Sequence, residues 1–356
     1  MLFERMQEIL IEDLKAVAAR DLPWHKLSGQ RVLVTGATGF LGGYLARTLL
    51  ALHQLGKIDQ PVQVVALVRS VKRAQACMSD LIGHPHFELL EWDLNRIAVP
   101  HIGACNYVLH AASQASPRFY GTDPVGTIFP NAVGTAALLE ALQQGPDPRG
   151  FLFISSSEVY GTVPGGVSLA ETNYGTLDPA SVRACYAESK RLGETLCVAW
   201  TEQHKTPTYI VRPFHTYGPG LQEDDGRVFA DFAFSVLRGE NIVMMSDGSA
   251  RRSFCYATDA IAGFFAVLLI GQPALPYNVA NSAGELSVIE LAELLIALYP
   301  EKRLAIERRQ RTGNPSYLAS TFSRLMPDVS RLAALGWRAE ITPAQGFRRM
   351  IDAYQK

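Results

Sequence analysis

Tyr186 and Lys190 stand four residues apart in a segment with helical patterning, so both side chains fall on one helix face. A tyrosine with pKa ~10 is a poor base at neutral pH. An ammonium beside it stabilises the phenolate and lowers that value. Such a pair can take a proton from an alcohol. The same Y-x-x-x-K spacing also occurs on ordinary helix faces. It gains weight from Ser155-Ser156-Ser157-Glu158, which closes a predicted strand beginning near Phe151. The C-terminal edge of a parallel sheet is where ligands bind.

A second group lies near the N-terminus. Thr35-Gly36-Ala37-Thr38-Gly39-Phe40-Leu41-Gly42 follows a short apolar run, Arg31–Thr35, and opens a helical stretch from Phe40 to about Leu52. In this G-x-x-G-x-x-G spacing Gly36 permits a tight turn, Gly39 lets backbone approach a pyrophosphate, and Gly42 allows close helix–strand packing. The helix N-terminus adds N–H donors and a favourable dipole. A glycine-rich turn without a ligand is the bland alternative. The second strand ends Ala66-Leu67-Val68-Arg69, with Lys72 and Arg73 just beyond. An NAD-selective site usually ends this strand with an acid. Arg69 could hold a 2′-phosphate, stack on adenine, or be a solvated strand-end arginine, so NAD versus NADP stays open. Asp93-Leu94 could place a carboxylate near the adenine amino group.

These residues need a scaffold. Strand candidates continue at Val62–Val68, Phe87–Glu91, Tyr107–Ala111, Phe151–Ser155 and Thr208–Val211, with helical stretches at Val125–Gln143 and Ser181–His204. Such alternation predicts an α/β fold, a Rossmann-like doubly wound parallel sheet covered on both faces. After Pro219 helices at Val228–Arg238, Asp259–Ile270 and Ser287–Leu298 alternate with short strands near Ile242 and Tyr277. The expected organisation is a helical extension over 1–28, a dinucleotide-binding domain over 29–219, and a mainly substrate-binding lobe over 220–356, with some elements returning to the first domain. In the extension Leu2, Met6, Ile9, Leu10 and Leu14 recur at helical spacing and Pro23 ends the pattern. Its acidic polar face suits a strut better than a membrane anchor. The Gly161–Ala180 loop lacks periodicity, and loops of that length are usually functional.

The 356 residues carry 33 Lys and Arg against 34 Asp and Glu, a formal net charge of −1, with 48% hydrophobic residues. That composition builds a core and excludes disorder as the main state. Near-zero charge argues against a nucleic-acid partner. Cys77, Cys105, Cys185, Cys197 and Cys255 are scattered and form no C-x-x-C pair, so a disulfide framework or metal site is not expected. The longest apolar run, Ala260–Gly271, is too short to span a bilayer. The expected setting is soluble and cytoplasmic, with no membrane partner.

The chain resembles an extended short-chain dehydrogenase/reductase of the nucleotide-sugar class. The matching motifs are TGATGFLG at 35–42, HAAS at 110–113, NAVGT at 131–135, SSSEVYG at 155–161, CYAESK at 185–190, RPFHTYGP at 212–219 and PDVSRLAALGW at 327–337. Within the class, SSSEVYG, VRACYAESKR, DGRVFADF at 225–232 and DGSARRSFCY at 247–256 look most like UDP-glucuronate decarboxylases.

The resemblance implies bound NAD or NADP, a nucleotide-diphosphate sugar as substrate, and a homodimer formed through a four-helix contact that includes the Tyr186 helix. Ala111, Ala112, Asn131 and Pro213 join the glycine turn as cofactor contacts. Tyr186 would take the proton of the sugar 4-OH, Ser156 would bond that oxygen, and Lys190 would tune the tyrosine and hold the nicotinamide ribose. Glu158 would serve as base or acid near C5. In related 4,6-dehydratases this segment reads Thr-Asp-Glu; Ser157 replaces the acid here and disfavours water loss. Ser113, Ser157, His215, Arg227 and Arg252 are implied substrate contacts. Arg118 or Tyr120 would lie near C6, with Arg183 a second candidate for a sugar carboxylate. Arg227 and Arg252 could instead be surface salt bridges. His215 stands where the class usually has Asn, and could titrate or be a satisfied core histidine. The implied reaction is decarboxylation of a UDP-uronic acid. The alternatives are epimerisation, 4,6-dehydration, or a cofactor-sensing protein without catalysis.

Overall fold

The strands that build the centre are short and apolar on both faces, as a sheet covered on both sides requires. The computed structural model describes residues 2–163, 168–309, 324 and 326–355. Seven strands form one sheet: β1 (Arg31–Thr35), β2 (Gln63–Val68), β3 (Phe87–Glu91), β4 (Tyr107–His110), β5 (Gly150–Ile154), β6 (Thr208–Pro213) and β7 (Pro276–Val279). Their order is β3-β2-β1-β4-β5-β6-β7 and every pairing is parallel. The order reverses between β1 and β4, which opens a crevice outside their carboxyl ends.

Register decides what meets there. Thr35 pairs with both Leu67 and His110, His110 with Phe153, and Ile154 with Val211. The glycine turn, the segment after His110, the serine cluster and the segment after Pro213 therefore leave the sheet along one edge. One apolar core packs the Phe40–Gln54 and Ala257–Ile270 helices on one face. Another packs the Val133–Gln143 and Cys185–His204 helices on the other.

The region after Pro219 divides between the main sheet and a separate lobe. Ala257–Ile270 and β7 belong to the main sheet, because this helix is apolar on all sides and needs cover throughout. The remaining lobe has its own core. It contains the Val228–Arg238, Val288–Leu298 and Pro343–Asp352 helices and a small sheet of His215–Tyr217, Arg251–Tyr256 and Glu285–Ser287.

Two expectations need correction. The single helix predicted over Val125–Gln143 is two, Pro124–Asn131 and Val133–Gln143, parted at Ala132. Pro130 supplies no N–H to the helical ladder near this break. The loop after Gly161 is also less irregular than its composition suggests. Thr162 bridges Thr176, and Ser168–Leu169 pairs with Met326–Pro327. Positions 164–167 of that loop lie outside the described residues.

The N-terminal helix, Leu2–Ala18, lies against both regions. Its buried Asp13 accepts hydrogen bonds from Tyr44 Oη and Tyr256 Oη, each at 2.8 Å, and from Arg349 Nη2 at 2.7 Å. One carboxylate thus ties the extension to the glycine-turn helix, the small sheet and the last helix. Breaking a buried ion pair costs about 3–5 kcal/mol, and Arg349 is 28% exposed, so the cost is reduced by solvent screening. Asp13→Ala is expected to destabilise the fold by roughly 2–3 kcal/mol in urea unfolding. An unchanged midpoint would show that the clasp contributes nothing.

Candidate active site

The glycine turn is tight because its atoms leave no room for side chains. Gly36 has φ +68°, and a Cβ there would stand 2.8 Å from Ala112 N. A Cβ on Gly42 would stand 2.2 Å from Gly36 O. Gly42 thus closes the turn on itself. Gly39 caps the helix in extended conformation, with Thr38 exposed beside it. Phe40 and Leu41 are half-buried in the first helical turn.

Behind the turn, Thr35 Oγ1 accepts from Ala112 N at 3.0 Å and shares a 2.8 Å hydrogen bond with His110 Nδ1. His110 Nε2 then donates to Pro130 O at 2.9 Å. Burial, helped by the Lys190 charge, pushes this histidine down to about 3, so it is a neutral connector. It ties Ala111, Ala112 and Ser113 to both strand ends. Its position in HAAS was visible in the sequence, but its role needs the register of β1 and β4.

The Tyr186 helix, Cys185–His204, approaches this edge closely. A Cβ on Gly193 would lie 2.2 Å from the Phe153 ring and 2.9 Å from Asn131 O. Asn131 is buried and donates to Thr127 O at 2.9 Å and Ser189 Oγ at 3.1 Å. Tyr186 is buried and stacks on Tyr120, with ring centroids 5.1 Å apart. Burial pushes its phenol up to about 12; a hydrogen bond with Ser156 pulls the other way, Glu158 raises it, and Arg227 and Arg183 lower it.

Lys190 shares this helix face with Tyr186. Its Nζ donates to Ile154 O at 2.6 Å and lies 5.8 Å from the Tyr186 ring centroid. The shared helix face brings the amine alongside the ring, while the guanidinium groups of Arg227 and Arg183 act on the phenol.

Glu158 is not a free base either. Arg183 Nη1 and Nη2 donate to its two oxygens at 2.8 and 3.0 Å, and Arg183 Cζ lies 4.8 Å from the Tyr120 ring centroid. This is the bidentate geometry that guanidinium gives carboxylates. Arg183 Nε is buried without a hydrogen-bond partner. Ser157 is buried next to Glu158. Tyr120 is buried and donates to Ala115 O at 3.0 Å.

Of the two residues expected near C6, Tyr120 stacks on Tyr186, whereas Arg118 is paired elsewhere. It is 43% exposed and pairs with Asp224. Ser116 Oγ donates to Asp225 O at 2.5 Å, so the two loops are joined across the entrance. Arg227 pairs with Asp225 through Nε at 2.5 Å and Nη2 at 2.8 Å. Arg252 is buried and donates to Arg251 O at 2.8 Å. His215 lies between phenylalanines, 6.2 Å from the Phe229 and 5.9 Å from the Phe254 ring centroid. Burial and then Arg252 and Arg227 hold its pKa down to about 3, so it does not titrate near neutrality. Its Nδ1 is buried without a hydrogen-bond partner, which also removes the satisfied-core reading.

At the far end of the cleft Arg69 is exposed, Asp93 half-buried and Leu94 buried. Asp93 Oδ1 accepts from Asn95 N at 3.0 Å. Pro213 ends β6 at the same edge as Ser155. A dinucleotide fits this arrangement on two grounds. The turn from Gly36 to Gly42 keeps side chains out of the pyrophosphate position. Ser113 Oγ, Asn131 Oδ1 and His215 Nδ1 are buried polar atoms without partners, which is costly unless a ligand satisfies them. Among the described residues no cluster has the composition of a metal site.

Burial also lowers the Lys190 ammonium, to about 7 from an ordinary 10.5. Between those values the unfolded chain holds a proton that the native chain lacks. Stability should therefore rise as pH increases from about 7 towards 10. Lys190→Met is expected to flatten that rise in urea midpoints of the cofactor-free protein. An identical slope in both proteins would contradict it.

The sequence pattern of the NAD dependent epimerase/dehydratase family matches residues 32–280. The chain is 33% identical over 329 residues to UDP-glucuronic acid decarboxylase 6 of Arabidopsis thaliana, covering 92% of this chain and 90% of that protein. It is 30% identical to UDP-glucuronic acid decarboxylase 1 of Xenopus tropicalis, covering 92% and 72%. In fold it is similar to UDP-glucuronic acid 4-epimerase from Bacillus cereus, crystallised with UDP-glucuronic acid and NAD (TM-score 0.72, 23% identity, 91% of this chain and 98% of that chain). It is also similar to the dTDP-glucose 4,6-dehydratase DesIV from Streptomyces venezuelae with NAD bound (TM-score 0.75, 23% identity, 91% and 96%). A parallel sheet with its glycine turn, serine cluster and Tyr186-Lys190 helix on one edge, together with these matches, makes this chain a member of the NAD dependent epimerase/dehydratase family.

Proposed function

We propose that this chain decarboxylates a UDP-uronic acid through transient oxidation at C4. The observation that carries the reading is the Arg183–Glu158 pair beside the Tyr186 phenol. It places a guanidinium able to bind a carboxylate, and a carboxyl group able to move a proton, next to the group that would handle the 4-OH. NAD supplies a reversible hydride acceptor when bound. Tyr186 takes the proton of the 4-OH as C4 is oxidised, and Ser156 holds that oxygen. A 4-ketone beside a C5 carboxylate is a β-keto acid, so loss of CO2 leaves an enolate. Arg183 would orient the sugar carboxylate in place of Glu158, and Glu158, released from that pair and protonated from solvent, would pass this proton to C5 of the enolate. Tyr186 returns its proton to O4 as C4 is reduced. Ser157 is too weak an acid to assist departure of a 6-hydroxyl, which supports loss of CO2 over loss of water.

The reading includes a cytoplasmic homodimer. The five cysteines are free, which suits a reducing compartment. The Cys185–His204 helix packs on Pro124–Asn131, and together they leave Val125, Leu192 and Val198 exposed at 59%, 48% and 44%. These side chains suit the centre of a four-helix contact.

Incubation with UDP-glucuronic acid should give a product lighter by about 44 Da, the mass of one CO2. A loss of about 18 Da, or an isomer of unchanged mass, would replace this reading by dehydration or epimerisation. Tyr186→Phe should reduce kcat by at least ~10²-fold, and Arg183→Ala should raise KM for uronic acid sugars. Leu192→Glu should shift the light-scattering mass from twice 39.0 kDa to the single chain. A protein that is already monomeric before substitution would remove the dimer.

A further inference from the structure

The N-terminal helix lies before the residues that the family pattern matches, which begin at 32, and the chemistry above leaves it unused. It touches both halves of the molecule, which have separate apolar cores. Phe40, the residue after Gly39, packs against both cores. Its ring lies 5.7 Å from that of Tyr44, and Cβ atoms on Gly218 and Gly220 would stand 3.5 and 3.6 Å from it. The glycine turn and the lobe thus meet along an apolar seam. Apolar attraction is non-directional, so such a seam holds the halves together without fixing how they are turned.

The Leu2–Ala18 helix supplies the direction. Asp13 Oδ2 accepts from Tyr44 Oη on the glycine-turn helix and from Tyr256 Oη, which stands four residues beyond Arg252 on the same lobe strand. Asp13 Oδ1 accepts from Arg349 Nη2 on the last helix, and Arg349 Nη1 also reaches Glu12 Oε2 at 3.0 Å. Asp13 is 1% exposed, so water does not compete for these bonds. Tyr256 passes the contact on: its ring lies 5.7 Å from that of Tyr217, which stacks on Phe347 at 3.9 Å. A second tie follows the helix. Arg20 Nη2 donates to Asp259 Oδ1 at 2.6 Å, and Asp259 Oδ2 accepts from Glu340 N and Ile341 N, each at 3.0 Å, just before the last helix.

From this meeting of Tyr44, Tyr256 and Arg349 on one carboxylate we propose that the N-terminal helix is a strap across the crevice, and that Asp13 is a positioning residue that holds the dinucleotide-binding helix and the lobe in the register that binds ligand. The proposal rests on the reading that a nucleotide sugar lies between Tyr186 and the lobe. Asp13 acts through Tyr44 and Tyr256. With the strap intact both sites are formed before either ligand arrives, and each binds with little help from the other. With the strap loosened the halves must be ordered by the first ligand, and the second then binds to a formed site.

The test follows dinucleotide release from the full chain loaded with NADH, which offers no hydride acceptor and so leaves a sugar substrate unreacted. Released NADH is consumed by excess lactate dehydrogenase and pyruvate, with and without saturating UDP-glucuronic acid. Without the sugar nucleotide, Asp13→Asn and Tyr256→Phe should each release NADH at least ~5-fold faster than the unsubstituted protein. Saturating UDP-glucuronic acid should bring both to within about twofold of the unsubstituted rate, a rescue that general loss of stability does not predict for chains kept fully folded. Tyr256→Phe removes one hydroxyl and keeps the ring, so it decides the matter even where Asp13→Asn does not fold. Equal release rates in the unsubstituted protein and the variants, or faster release that a bound sugar nucleotide does not restore, would overturn the strap. Calorimetry of UDP-glucuronic acid on the unsubstituted chain separates the two readings: absence of binding would overturn the sugar reading, and the release rates without it would still decide the strap.

Discussion

The buried pair between Glu194 and Arg212 governs how the helix bearing Tyr186 sits. Arg212 Nε and Nη2 reach the two Glu194 oxygens at 2.9 and 2.6 Å, with side-chain exposures of only 3% and 11%. Burial works against both charges, and their mutual bonding offsets it. Around them the polar groups are paired. Ser155 Oγ donates to Glu194 at 2.5 Å, and Arg212 Nη1 donates to Tyr160 Oη at 3.1 Å and Glu171 O at 3.0 Å. Tyr160 continues to Asn278 Oδ1 at 2.5 Å, while Asn278 N donates to Glu171 Oε1 at 2.8 Å. The helix bearing Tyr186 is thereby fastened to the end of β5, to β6 and to β7.

With that helix held, the site becomes a problem of burying ionisable groups. Tyr186 is raised by desolvation and Lys190 is lowered by it, because a low-dielectric interior disfavours either charge. His110 and His215 are neutral for the same reason. Positive charge enters through Arg183 and Arg227, each already satisfied by a carboxylate. A charged ligand would meet guanidinium groups that are already paired. The cost of desolvating the arginines is met during folding, before the ligand arrives.

Much of this was legible one residue at a time. The Phe87–Glu91 strand and the Val228–Arg238 helix have the boundaries their patterning predicts, because local periodicity and flanking turn residues set them. Tyr186 and Lys190 share a helix face as their spacing requires. Glu194 continues the same four-residue interval and was open to the same reasoning. Its partner Arg212 was not, since the two meet only when β6 lies beside β5. The break at Ala132 escaped detection because apolar periodicity runs through Pro130 undisturbed.

Spacing and residue type alone determined the parallel α/β fold, the glycine turn and the identity of the groups able to move a proton, because each follows from neighbours within a few positions. Tertiary structure decided which charges those groups face. Lys190 bonds a backbone carbonyl, Glu158 takes Arg183, Arg118 turns to Asp224, and Asp13 ties three distant segments together. The physical reason is that Coulombic and desolvation energies depend on distance through space, and separation along the chain says little about it once strands far apart in sequence share one sheet edge.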